Sequence, residues 1–213
     1  NCFYRRHSHC HHLPRGKSCA EGQFMNTVAH VIIASAALAR PQSPKRNWAV
    51  VAGALAPDVS MFVFFGWSRI QGWSGHETWN VQYWSEPWQS LGAVSNSFIL
   101  FGVLLAIALW RKSPLIMAAS AAALIHIALD FPLHADDAHR HFWPLTNWRF
   151  NSPISYWDPD YYGWLGGLIE GSFVLGALAL LWRRFGSGRW RAVYAGLAGM
   201  QIIFIGLLLG WMR

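Results

Sequence analysis

The sequence predicts an all-α fold, a polytopic integral membrane helix bundle with five or six transmembrane segments. Three observations predict it. Hydrophobic residues make up 54% of the 213-residue chain and charged residues only 13%, about half the charged share usual in soluble domains. The apolar residues are gathered in blocks, several of which reach the roughly 20 residues that an α-helix needs to cross the hydrocarbon core. The basic residues sit in short clusters between those blocks. A soluble chain of this length buries a good core but needs more polar residues to cover it. The net charge of +7 does not point to nucleic acid, because clusters between apolar blocks are what membrane topology requires.

Residues 1–24 lack apolar periodicity and hold all three cysteines, Cys2, Cys10 and Cys19, among several histidines. Such a tract is of metal-binding type. With no apolar h-region it is not a secretory signal. It reads as a disordered leader or a translated upstream extension ahead of Met25, and it stands outside the site argument. Residues 25–213 then form a single helical membrane domain.

Six segments follow in order. Thr27 to Ala39 is short for a span and reads as a re-entrant or tilted piece. Trp48 to Trp67, Leu91 to Trp110, Leu115 to Leu133, Gly163 to Trp182 and Ala192 to Trp211 are each long enough to cross. Trp48, Trp67, Trp110, Trp182, Trp190 and Trp211 fall at segment ends, where an amphipathic indole prefers the interface. Gly167 and Gly171 give a small-xxx-small spacing suited to close helix packing.

Charge predicts the orientation. With six crossings, the connections 40–47, 111–114 and 183–191 share one side and carry nine Lys and Arg residues with no carboxylate. The opposite connections, 68–90 and 134–162, carry three arginines alongside Glu77, Glu86, Asp136, Asp137, Asp158 and Asp160. The positive-inside rule makes the first set cytoplasmic, so loop 134–162 faces the periplasm or exterior.

That orientation places His30, Asp58, His126 and Asp130 at one level, in the outer part of the bilayer, with Asn96 and Glu170. Ionisable residues inside a membrane are costly and invite a functional reading. His126 and Asp130 stand at i and i+4 on one helix face and can reach a common point. Pro132 ends or loosens the helix, so that His134 and the loop through Asp137, His139, Arg140 and His141 can fold back over it. Imidazole and carboxylate together suit a divalent metal, zinc or manganese above all, or iron. Blander readings stand beside this one. His126 and Asp130 can be a hydrogen-bonded pair that locks helices, Asp58 after Pro57 a turn or cap residue, and Glu170 an interhelical polar contact. His76 reads as a surface residue, Asp158 and Asp160 as turn formers, and Arg140 as a counter-ion for the acidic loop or a phosphate grip.

The residues that carry these signals also resemble a family. Met25 to His30, the stretch from Gly53 to Pro57-Asp58, and His126 with Asp130 and the following His134 are similar to the YdjM-like membrane-bound metal-dependent hydrolases of the bacterial inner membrane. The stretch from Asp130 to Leu145, with Ser152 to Asp158, resembles a subgroup often labelled as a cobalamin-biosynthesis protein, although no phosphate-cradling glycine loop or amidotransferase nucleophile is present. The resemblance covers about residues 25–165. It implies His30, Asp58, His126 and Asp130 as metal ligands, with His134 and His141 as further candidates. Two positions depart from the pattern: Ser60 stands where a second carboxylate is expected, and Asn96-Ser97 where a His-Ser pair is. Both changes remove ligands and favour one metal over two.

The function expected is hydrolysis at the outer leaflet, on a lipid or a phosphate ester. Asp137 or His139 would take the proton of an attacking water, and Arg140 or His139 would steady an anionic oxygen. The partners expected are membrane lipid and the metal ion. The alternative is a non-enzymatic membrane protein whose His/Asp cluster passes protons or metal ions, although no internal repeat of the transporter kind is evident.

Overall fold

A computed structural model describes residues 27–135, 137–155 and 161–211, with side chains described up to Ile203. The expected leader 1–24 and the turn residues Asp158 and Asp160 lie outside the described residues, as does Asp136. The described residues are helical, with no strand among them. The helices are α1 (Thr27–Leu38), α2 (Pro44–Leu55), α3 (Val59–Gln71), α4 (Gly75–Asn80), α5 (Glu86–Ser95), α6 (Phe98–Trp110), α7 (Pro114–Asp130), α8 (Gly163–Arg184) and α9 (Gly188–Trp211).

Three helical stretches are long and apolar enough to cross a membrane: Glu86–Trp110, Pro114–Leu133 and Gly163–Arg184. The segment expected over Trp48 to Trp67 is not one straight helix. It breaks at residues 56–58, and α2 and α3 meet at 61°. Together they supply at most a fourth span. Pro57 supplies the physical reason, since it has no N–H to donate and its ring clashes with the preceding turn. α6 is apolar all round, yet only Ala108 of its thirteen residues is buried. A helix of that composition left exposed suits lipid rather than water.

α1 packs against α2, α7, α8 and α9. Its twelve residues span about 18 Å at roughly 1.5 Å each, well short of a hydrocarbon core of about 30 Å. Both its faces are covered. Ala29, Ile32 and Ala36 meet Val174, Ala177 and Leu181 of α8, and Val31 and Ala34 meet α2 and α7. Its C-terminal carbonyls, which no helix can satisfy internally, accept hydrogen bonds from two arginines. Arg184 Nη1 donates to Ala36 O (2.7 Å) and Ala39 O (3.2 Å), and Arg46 Nε donates to Leu38 O (3.0 Å). Cations at a helix C-terminus also complement its dipole. Asn47 closes the α1–α2 turn by pairing with both Arg40 N (2.8 Å) and Arg40 O (2.9 Å).

The closest helix approach tested by the glycines is α2 against α7. A Cβ on Gly53 would lie 2.0 Å from Ala119 O, so only glycine fits there. Gly167 and Gly171, by contrast, face open space. Small residues on the α2–α7 interface, Ala54, Ala118 and Ala122, let the two backbones bring Ala54 and His126 together.

Candidate metal centre

α7 carries His126 and Asp130 on one face. The predicted i, i+4 stacking gives an His126 Nε2 to Asp130 Oδ2 distance of 3.0 Å. α1 adds His30 from its first turn, with Nε2 3.0 Å from Asp130 Oδ1. One ligand atom from each of His30, His126 and Asp130 lies within 4.8 Å of the others, and all three residues are buried. This group can hold a metal ion. The two imidazole rings stack with centroids 3.8 Å apart.

Asp58 joins from the α2–α3 break. Its backbone begins α3, but its side chain makes no capping hydrogen bond. The carboxylate instead turns inward, accepting from Thr27 Oγ1 (2.5 Å) and lying 3.4 Å from His126 Nε2. It thus touches the three-residue group through His126 without belonging to its set of mutual distances. Thr27 shares the His30 face of α1 at i, i+3, which is the sequence signal for a contact that sequence reasoning missed.

The tautomer of His126 shapes the charge balance of the centre. Nδ1 lies 2.6 Å from Ala54 O, and a carbonyl oxygen only accepts, so Nδ1 carries the proton. Nε2 lies 3.4 Å from Asp58 Oδ1 and 3.0 Å from Asp130 Oδ2, so a neutral ring would present a lone pair to both carboxylates. Neither Asp130 oxygen, nor Asp58 Oδ1, nor His126 Nε2 has a hydrogen-bond partner, although all are buried. Two carboxylates and two imidazoles packed this closely call for positive charge between them, a proton on one ring or a bound cation. Among the described residues no Lys or Arg ion-pairs with either carboxylate. Protonating both stacked imidazoles would set like charges 3.8 Å apart, a repulsion of about 4 kcal/mol at an effective dielectric of about 20. One divalent cation balances both carboxylates at once. The spacing is compatible with it: ligands about 2.0–2.1 Å from a tetrahedral zinc stand roughly 3.3 Å apart, near the 3.0 Å that separates each imidazole Nε2 from Asp130.

The loop histidines lie above this centre. α7 runs into a 3₁₀ turn, Phe131–Leu133, and the chain folds back where Ser152 Oγ and N donate to Pro132 O (2.5 Å) and His134 O (2.9 Å). His134 Nδ1 meets Asp137 Oδ2 at 2.7 Å, and His141 Nδ1 donates to Asn96 O at 3.0 Å. Both rings therefore have Nδ1 anchored, the arrangement that orients a metal-ligating histidine. Burial works to lower the His134 pKa, but Asp137 outweighs it, with smaller help from Asp130 and Asp58, and raises it to about 9. Burial, reinforced by His134 and His141, brings His139 down to about 3. Burial also holds His141 below its ordinary value despite its bond to Asn96.

Arg140 is fully engaged elsewhere. Its two terminal nitrogens donate to the two oxygens of Glu86 at 2.7 Å each, which ties the loop to α5. Glu170 accepts from Gln201 Nε2 at 2.9 Å across α8 and α9, an interhelical contact, and His76 is exposed. Ser60 and Asn96, the two positions singled out in the sequence comparison, each bond across to a neighbour of the other. Ser95 Oγ donates to Ser60 Oγ (2.7 Å), and Asn96 Nδ2 donates to Pro57 O (3.3 Å). Neutral hydrogen bonds thus tie the α2–α3 break to the α5–α6 break.

Beside Asp58 lies a small pocket with room for about one water molecule. Asp58, Ser60, Gln89, Asn96 and His139 line it together with Met61, Phe64, Tyr83 and Trp88. Sequence reasoning missed Gln89 and the aromatic wall, which no motif marks. Comparison of the chain with protein-family models, with curated proteins and with solved structures returns no match.

Proposed function

We propose that the protein is a membrane-embedded hydrolase dependent on a divalent metal, zinc or manganese, of the YdjM-like type and acting at the outer leaflet of a bacterial inner membrane. The observation that carries this reading is the buried meeting of His126 Nε2 with two carboxylates while its Nδ1 is committed to Ala54 O. His30, His126 and Asp130 would hold the ion. When bound, a divalent cation supplies Lewis acidity, which acidifies water and polarises an ester oxygen.

The chain's own residues do the rest. Asp58 borders both the centre and the pocket, so its carboxylate is the group placed to take a proton from an attacking water. His139, kept neutral by burial, lines the pocket and can donate an N–H to a developing anionic oxygen, as neutral imidazole does elsewhere. Asp137 holds the His134 ring in place. Arg140, expected from sequence to steady that oxygen, serves here by fastening the loop to Glu86.

Metal analysis of the purified protein tests the reading. Stoichiometric zinc or manganese is expected in the wild type, with loss in His126→Ala and Asp130→Ala. Asp58→Asn should keep more metal than either and lose turnover of phosphate and carboxylic esters. Equal trace metal in all the proteins would end the proposal, and bound metal that crosses vesicle membranes without ester turnover would favour ion passage instead.

A further inference from the structure

We propose that the end of the bundle opposite His30, His126 and Asp130 is a binding surface for the headgroups of anionic phospholipids in the leaflet on that side. The helix contacts bring three basic turns to this end. Gly53 lies against Ala119 and Asp58 meets His126, so α2 and α7 run in the same direction and start side by side. α1 runs the opposite way, since His30 reaches Asp130 while Leu38 O accepts from Arg46 at the start of α2. The α8–α9 turn joins them. Arg184 donates to the last carbonyls of α1, and Phe185 and Tyr194 pack with Ala36 and Ala39. Lys45 and Asp58 are about 20 Å apart along α2 at roughly 1.5 Å per residue, so this end is remote from the centre.

The surface is cationic without compensation. Arg40 and Lys45 come from around the α1–α2 turn, Arg111 and Lys112 from the α6–α7 turn, and Arg189 and Arg191 from the start of α9; all six are exposed. No Asp or Glu occurs in residues 38–57, 98–129 or 171–213. Among the described residues none of the six pairs with a carboxylate, whereas Arg140 at the other end is held by Glu86. Like charges gathered in this way repel one another and attract anions, and basic clusters beside a membrane-spanning helix draw anionic lipid.

Indoles fix the depth at which these charges act. Trp110, 77% exposed, ends the span Glu86–Trp110, and the exposed Trp182 lies in the last turn of Gly163–Arg184. The Arg111 guanidinium stands 5.0 Å from the Trp110 ring centroid, and that of Arg191 stands 5.1 Å from Trp182. An exposed indole at the end of a span settles at the headgroup level. An arginine stacked on it is held there too, and keeps its in-plane N–H donors for phosphate oxygens. That depth, rather than charge alone, favours a lipid headgroup over a nucleic acid approaching from the water.

The test uses the full chain in phosphatidylcholine bilayers with a trace of spin-labelled phosphatidylglycerol or spin-labelled phosphatidylcholine, whose motionally restricted fraction reports lipid held at the protein. At low ionic strength phosphatidylglycerol should be preferred about fivefold, equivalent to about 1 kcal/mol. The preference should fall to within about twofold at about 1 M salt, where the Debye length is about 3 Å. It should fall as far when Arg111→Gln, Lys112→Gln, Arg189→Gln and Arg191→Gln are combined. Changing the three arginines to Lys, with Lys112 kept, should restore it, and Arg69→Gln in the last turn of α3 should leave it unchanged. Equal restriction of the two lipids by the wild type would overturn the inference, as would a preference that survives in the combined Gln variant or vanishes in Arg69→Gln. Suppression by inorganic phosphate at constant ionic strength would show a site for soluble anions and overturn it as well. The salt dependence needs no variant, so the test stands even if the combined variant does not fold. None of these readouts involves the metal, and the hydrolase reading stands or falls apart from them.

Discussion

Gly53→Ala puts the smallest possible probe at the contact that aims His126. The added Cβ would stand 2.0 Å from Ala119 O and 2.7 Å or less from the Ala119 carbonyl carbon and Cα. All three are backbone atoms of α7, which cannot swing aside as a side-chain tip could. Restoring even a tight contact of about 3.0 Å requires α2 to withdraw from α7 by about 1 Å. The next residue is Ala54, whose carbonyl oxygen lies 2.6 Å from His126 Nδ1. A retreat of about 1 Å stretches that contact to about 3.6 Å, outside hydrogen-bond range. Overpacking of this kind costs about 1–3 kcal/mol, and loss of the bond that orients a ligating histidine lowers metal affinity by roughly 10–100-fold. The assay is competitive titration of metal against a chromophoric chelator, with thermal unfolding of the same sample. Gly66→Ala in α3, which faces open space, is the control, and should be neutral or stabilising by up to about 1 kcal/mol. Metal affinity in Gly53→Ala within about twofold of the wild type would refute the claim that the Ala54 carbonyl positions His126.

Three further outcomes are expected. Gln201→Leu removes the donor to Glu170 Oε1 and should lower stability by about 0.5–2 kcal/mol with metal content unchanged; metal loss would place Glu170 in the centre after all. Arg184→Gln strips the cation from the α1 C-terminus and should cost about 1–2 kcal/mol, read as earlier thermal unfolding with faster amide exchange in residues 36–39, whereas unchanged exchange would mean the cap is idle. In chelator-treated protein, order in residues 134–141 should follow the His134–Asp137 pair. His134 is raised from 6.5 to about 9, so its contribution is full below pH 6.5 and is lost as pH rises through about 9. Asp137 is held below its ordinary 3.8, since His134 outweighs the opposing effect of burial, so its contribution is present above that value and lost in stronger acid. Amide exchange corrected for intrinsic rates should therefore show protection falling between pH 6.5 and 9, a fall that Asp137→Asn abolishes; a flat profile in the unaltered protein would sink the pairing.

The all-helical character and the face that His126 and Asp130 share were legible along the chain, whereas the breaks within Trp48–Trp67 and Leu91–Trp110 were not. Composition in blocks and the 3.6-residue period are local properties, and an i, i+4 pair meets wherever the helix forms. α7 and α8 follow their expected segments closely. Asp58 after Pro57 was legible as a turn or cap residue, but the 61° between α2 and α3 was not, because a break fixes where a helix stops and leaves its new direction to packing.

Tertiary structure alone decided which groups complete the centre and what each polar residue does there. The Ala54 carbonyl that sets the His126 tautomer is a backbone atom with no signature in sequence, and it arrives only because Gly53 lets α2 close on Ala119. Arg140 and Arg149 look alike along the chain, yet the first pairs bidentately with Glu86 while the second donates to Gln89 Oε1 and Ala138 O. Asp58 could have capped α3 as its position suggests; instead it turns to Thr27 and His126. Electrostatic partnership depends on distances across the fold, and a one-dimensional pattern holds only those distances that lie within one helix.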